Sequence, residues 1–170
     1  MSKPAARITD NVAHPLPPVL TGGPGSQNVL IGNLPAWRGI SAAAVPALQA
    51  TKQTTDIAIQ SAEAATKAAA GTPGAPAAIA AEQATKAASS ATMSSMISAA
   101  AASSLPGMAD IHQCATPLPI PPHGPGVVID GSKTVLINGL PASRMGDTIL
   151  EALGPTNKIV KGDFTVLIGG

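Results

Sequence analysis

The chain has 170 residues, a formal net charge of +1 and only 11% charged residues, so it has no basic field for nucleic acid and no cationic run for a membrane surface. One Phe, one Trp and no Tyr argue against base stacking and imply a thin core. A single cysteine, Cys114, excludes an internal disulfide.

Glycine and proline number 17 each, which implies many turns and short elements. The first twenty residues hold Pro4, Pro15, Pro17 and Pro18 and no apolar h-region, so no secretory signal peptide is expected and export would need a dedicated machine. The chain opens on Pro4-Ala5-Ala6-Arg7-Ile8-Thr9-Asp10. A turn cluster, Gly22 to Asn28, then feeds Val29-Leu30-Ile31, a short apolar run of strand character. Pro35-Ala36-Trp37-Arg38-Gly39 begins the opening motif again and stops.

Composition changes at residue 40. Residues 40–106 are rich in Ala, Ser and Thr, and two segments, 44–70 and 76–105, read as helices. Gly71-Thr72-Pro73-Gly74-Ala75-Pro76 breaks between them and Pro106-Gly107 ends the second. Glu63/Lys67 and Glu82/Lys86 stand at i,i+4 in the favoured order, a few tenths of a kcal/mol each. Two such helices predict an antiparallel hairpin that returns the chain to its point of departure and projects from the side of the body. Residues 87–105 carry no charge, but all except Met93, Met96, Ile97 and Leu105 are Ala, Ser or Thr, too weakly apolar for a stable membrane span. Small side chains that let two helices approach closely are the better reading.

After the insertion the interrupted motif resumes at Met108-Ala109-Asp110. Gly124-Pro125-Gly126 echoes Gly23-Pro24-Gly25, and Thr134-Val135-Leu136-Ile137-Asn138-Gly139-Leu140-Pro141-Ala142-Ser143-Arg144 echoes residues 28–38. A third motif, Pro141 to Asp147, follows, and Thr165-Val166-Leu167-Ile168 supplies a last strand. The unit is thus Pro-Ala-x-Arg-x-x-Asp, a variable loop, then Val-Leu-Ile. It occupies 4–34, then 35–39 joined to 107–140, then 141–170. Val166-Leu167-Ile168 is expected to pair near Lys3-Pro4, making a closed, pseudo-threefold object that leaves no open sheet edge. Arg7/Asp10, Arg38/Asp110 and Arg144/Asp147 read as a repeated structural ion pair, since the same charges recur in every unit.

These three motif copies, with the repeated Val-Leu-Ile-Gly/Asn, resemble the PAAR-repeat proteins. The resemblance covers 1–39 and 107–170 and not the helical insertion 40–106. It implies a mainly β fold: a closed pseudo-threefold cone of short strands, interrupted here by the antiparallel α-helical hairpin. It also implies a role as the sharp tip on the trimeric VgrG-type spike of a type VI secretion system or a related contractile injection particle. A zinc ion near the apex and delivery on the spike to a target cell, rather than catalysis, come with that role. The Val-Leu-Ile strands and their turns, with Leu34, Pro35, Leu140, Pro141 and Ile168, are the candidate spike contacts. The insertion is a candidate binding site for a cargo effector or chaperone.

The histidines and the cysteine bear on the metal. His14, His112, Cys114 and His123 all lie in the repeats and none in the insertion. His14 and Cys114 each stand four residues after a motif Asp, His112 two before Cys114, and His123 next to Gly124. Spacing alone is equally consistent with unrelated residues. In-phase placement and the resemblance together favour Zn²⁺. Four protein ligands would close the shell of a structural site, where zinc contributes about 10 kcal/mol in favourable peptide cases. Three ligands plus water would be the geometry of a zinc-dependent hydrolase. Glu151, at the same place in the third repeat, is expected at the surface or beside the ligands. A membrane- or lipid-interacting effector acting through 76–105 is the other alternative.

Overall fold

The computed structural model describes residues 1–13, 19–104, 107–114 and 123–170. Among these residues, ten short strands and two helices run in the order β1 (Lys3–Ala5), β2 (Leu30–Ile31), β3 (Leu34–Pro35), α1 (Val45–Ala69), α2 (Ala75–Ala102), β4 (Ile111–Cys114), β5 (Gly124–Val128), β6 (Leu136–Ile137), β7 (Leu140–Pro141), β8 (Thr148–Glu151), β9 (Asn157–Lys158) and β10 (Asp163–Ile168). The class is mixed: substantial strands with a two-helix hairpin.

Three strand pairs repeat one register. Leu30 faces Pro35 and Ile31 faces Leu34; Leu136 faces Pro141 and Ile137 faces Leu140; Leu167 faces Pro4 and Ile168 faces Lys3. The first two are hairpins closed by Gly32-Asn33 and Asn138-Gly139, whose φ values are all positive. That is the type I′ requirement, and it explains why only Gly and Asn stand there. The third pair joins the two ends of the chain, as the repeat phase predicts.

The three motifs meet in a ring. Their third residues are linked head to tail by backbone hydrogen bonds: Ala6 N to Ser143 O at 2.9 Å, Ser143 N to Trp37 O at 3.0 Å, and Trp37 N to Ala6 O at 2.9 Å. A second ring runs from Ile8 N to Pro35 O, Gly39 N to Pro141 O and Met145 N to Pro4 O. The second motif residues, Ala5, Ala36 and Ala142, are fully buried and pack with Ile31, Ile137 and Ile168. Alanine is required there because three backbones converge on one axis. Trp37 alone among the third residues is large, and it fills a second core with Leu20, Val128, Ile149 and Ile159.

Each motif is fixed by the same fork. Arg N and Nε donate to one aspartate oxygen, and Nη2 donates to the other: 2.8, 3.1 and 3.0 Å in Arg7/Asp10, 2.8, 3.0 and 2.9 Å in Arg38/Asp110, 2.8, 3.1 and 3.1 Å in Arg144/Asp147. The middle pair keeps this geometry across the whole insertion.

A four-stranded sheet, β4-β5-β8-β9, carries the next level. Beyond its two edges, Val12 bridges Ile159 and Gln113 N donates to Thr21 O at 2.8 Å. The echo between Gly124-Pro125-Gly126 and Gly23-Pro24-Gly25 is not structural. Gly124–Val128 is a strand, whereas the counterpart of Gly25-Ser26 is Gly131-Ser132. Ser26 N and Ser132 N each donate to the motif alanine's carbonyl at 2.8 Å, and each hydroxyl accepts from Val29 or Val135.

The helical hairpin packs against the β body over its proximal half instead of projecting freely. Ser89, Met93, Ile97 and Ala101, four residues apart, form the buried stripe of α2. Met93, Ile97, Ala101 and Leu48 of α1 cluster with Ala109, Val127, Leu140, Leu150 and Ala152. Beyond Thr55 no residue of α1 is buried, so its last 14 residues extend about 21 Å. The i,i+4 expectation holds for Glu82–Lys86 at 2.6 Å, but Glu63 turns to Lys86 on the facing helix at 2.8 Å. Among the described residues, no helix is long and apolar enough to cross a membrane.

Candidate functional site

β4, β5 and β8 lie side by side, with His112 opposite Gly126 and Gly126 opposite Glu151. His112 and Glu151 are therefore two strands apart, in one row, with a glycine between them. A Cβ on Gly126 would come within 2.8 Å of Glu151 Cγ. The missing side chain lets the carboxylate lean across β5, and His112 Nε2 lies 3.6 Å from Glu151 Oε1. On its other side the His112 ring accepts from Thr21 N–H at Nδ1, 3.5 Å away.

Cys114 lies at the far end of β4, opposite Gly124. His123, one residue before that glycine, places Nδ1 2.8 Å from Glu151 Oε2. Asn157 Nδ2 donates to the same oxygen at 2.8 Å. Gly154, at positive φ, lies beneath the imidazole, where an added Cβ would come 3.1 Å from Nε2. Ligand atoms of Cys114, His123 and Glu151 all lie within 4.8 Å of one another. Thiolate, imidazole and carboxylate are all zinc donors, so the chemistry fits that ion. Burial, and then the Lys52 ammonium on α1, hold the His123 imidazole below its ordinary range and favour the neutral ring that a metal requires.

Of the four residues the sequence marks, the structure brings Cys114 and His123 together, with His112 on the other side of Glu151, 3.6 Å from its Oε1. His14 lies outside the described residues. Glu151 is not a surface residue: it is fully buried, in contact with two histidines and an asparagine. Its signal in the sequence is phase, since Cys114 and Glu151 both stand four residues after a motif aspartate. Between the cluster and the hairpin, Asp56, Ile59, Gln60, Lys86, Leu153 and Pro155 line a cleft of about 510 Å³ with His123 at its edge.

A second feature lies on the hairpin ends. Leu140 and Ile168, expected as spike contacts, are buried, Leu140 under the insertion and Ile168 in the axial core. Leu34, Pro35 and Pro141 are half-buried. The exposed side chains are their strand neighbours Leu30, Leu136 and Leu167, at 60%, 59% and 60%, at one equivalent position in each repeat. Successive strand residues face opposite ways, so each isoleucine points in and each leucine points out.

The family model for the PAAR motif matches residues 118–170, which include His123, β6–β7, the third motif and Glu151. No curated protein and no solved structure matches the chain.

Proposed function

We propose, from the premise that this chain is a PAAR-repeat protein, that it caps the point of a trimeric VgrG-type spike in a type VI secretion apparatus and is delivered on that spike. The observation that carries this reading is the threefold recurrence of one exposed leucine. Leu30, Leu136 and Leu167 are equally exposed on equivalent strand pairs around two rings of backbone hydrogen bonds. A monomer with three like faces can make the same apolar contact with each subunit of a trimer, and exposed apolar clusters commonly mark such contacts.

In this reading the strands form a closed cone. The paired chain ends and the bridges beyond both edges of the four-stranded sheet support it. A zinc ion among the Cys/His/Glu cluster would stabilise the narrow end, where too few residues remain to bury a core. The role needs no catalysis. The hairpin, with its exposed distal half and the cleft beside His123, is the place where a cargo effector or chaperone would attach.

The test is co-purification with a trimeric VgrG-type spike protein. The wild type should bind at one chain per trimer. The triple variant Leu30→Asp, Leu136→Asp, Leu167→Asp should fold and lose the complex. Undiminished capture of the triple variant would overturn the docking face, and no capture of the wild type would overturn the function.

A further inference from the structure

The resemblance that suggests zinc points to histidine and cysteine ligands. The structure points to a different set, and the inference rests on the metal-binding part of the reading above. We propose that Glu151 is itself a metal ligand, in a Cys114–His123–Glu151 set, and that His112 is a positioning residue that holds the carboxylate in place.

Three observations carry this. First, Glu151 is fully buried, and its two oxygens are divided between neighbours: Oε1 towards His112 Nε2 at 3.6 Å, Oε2 with His123 Nδ1 and Asn157 Nδ2, each at 2.8 Å. A carboxylate brought into the interior needs a compensating positive charge. Second, both ring nitrogens of His112 already have directed roles. Nδ1 accepts from the Thr21 amide, so the proton resides on Nε2, which faces Glu151 Oε1. At 3.6 Å this N–H faces the carboxylate without yet bonding it, and metal-binding carboxylates are held by such outer donors. Third, Cys114 and Glu151 occupy the same phase of their repeats and approach with His123 to within 4.8 Å.

Charge favours this set as well. One thiolate and one carboxylate neutralise a divalent cation, whereas a cysteine with three neutral histidines leaves a net positive charge in a buried centre. The glycine at 126 belongs to the same arrangement. Without it, Glu151 could not lean across β5 to reach His112.

The experiment uses the full chain with cobalt(II) as the spectroscopic probe and zinc for affinity. The wild type should bind one equivalent of cobalt with a thiolate charge-transfer band. Glu151→Gln should weaken zinc binding at least tenfold and change the d–d bands, and Glu151→His should retain the metal with shifted bands. His112→Gln should retain stoichiometry and the thiolate band while affinity falls about tenfold, the usual effect of losing an outer partner. Long-range ¹H–¹⁵N spectra of the zinc-loaded wild type should show His112 still protonated at Nε2 and His123 metal-bound at Nδ1. That measurement needs no variant and decides the matter if a variant fails to fold. Unchanged affinity and spectrum in Glu151→Gln, or a metal-bound His112 nitrogen in the wild type, would overturn the assignment while leaving zinc binding intact. A wild type that takes up neither cobalt nor zinc would overturn both this assignment and the metal in the proposed function.

Discussion

Asp110→Asn should be among the most damaging single substitutions in this protein. Asp110 is completely buried and accepts four hydrogen bonds: from Arg38 N at 2.8 Å, Nε at 3.0 Å and Nη2 at 2.9 Å, and from Gly25 N at 3.0 Å. The amide turns one acceptor into a donor facing donors and leaves the Arg38 guanidinium, also buried, without its counter-charge. Removing one member of a buried ion pair costs about 3–5 kcal/mol. For a chain of this size each kcal/mol moves Tm by about 2–4 °C, so a fall of roughly 6–20 °C is expected in calorimetry. The double variant Arg38→Met with Asp110→Leu should recover part of the loss, because replacing both charges removes the orphaned one. Recovery stays partial, since the amides of Gly25 and Arg38 still lose their acceptor. As a control, Glu63→Gln disrupts a solvent-exposed pair with Lys86 and should cost no more than about 1 kcal/mol. A drop in Tm below about 2 °C for Asp110→Asn would refute the claim that this fork holds the two sides of the insertion together.

Met93→Ala and Ile97→Ala should each cost about 2–5 kcal/mol in denaturant unfolding, because both side chains are fully buried against the β body, whereas half-exposed Ile79→Ala should fall within about 0.5 kcal/mol of wild type. Excising residues 60–84 and rejoining the helices with a short turn should leave Tm within a few degrees, whereas excising 40–106 uncovers Val127, Leu140 and Leu150 and should lower it clearly; equal stability of the two deletions would refute the docked hairpin. The Thr165 hydroxyl and amide, with Arg7, hold the Asp163 carboxyl below its ordinary range, so its stabilisation is complete above the unfolded value of about 3.9 and is lost as pH falls through the lower folded value. The Tm advantage of wild type over Asp163→Asn should therefore be flat near neutrality and shrink below about pH 4; an advantage that persists undiminished at the most acidic pH would refute it.

What could be read in the sequence was chemistry that repeats locally. The Arg–Asp spacing identified all three corners, including the one split by the insertion, because one fork builds each of them from the same atoms. Pairing of Leu167-Ile168 with Lys3-Pro4 followed from repeat phase alone. Which strand residues face outward did not follow. In a two-residue strand a slip of one position exchanges inside for outside, and no alternation is long enough to fix it. Hence the Val-Leu-Ile strands read as contacts whole, with no sign that only their leucines face out; Ile168 closes the six-residue β10, whose four preceding residues are all exposed, so no alternation marks it as the buried one. Leu140 is buried for another reason: α1 and α2 fold back over it, a tertiary contact that its own segment does not encode. Glu151 was legible by phase, but a lone carboxylate is usually solvated, and only the side-chain-free Gly126 between it and His112 shows why this one is not.

The position of the insertion explains how the body tolerates it. The chain leaves at Gly39 and returns at Ala109, and Arg38 O receives Asp110 N at 3.2 Å while Ser41 N reaches Ser104 Oγ at 3.3 Å. The two ends are thus joined by the bonds that an uninterrupted corner would make, with a helical stem added. The entropy of closing a loop grows only slowly with its length, so a long insertion at this corner costs little more than a short one. What it changes is symmetry. The hairpin runs along one side only, covering Leu140 and bringing Lys52 near His123, yet it leaves Leu30, Leu136 and Leu167 equally exposed. A single chain can thereby keep three like apolar faces while carrying one asymmetric arm beside the Cys/His/Glu cluster. Repeating the insertion in all three corners would add two more arms without changing the three leucine faces, and placing it in a Leu-bearing hairpin would break their equivalence. The second corner is a site where neither penalty arises.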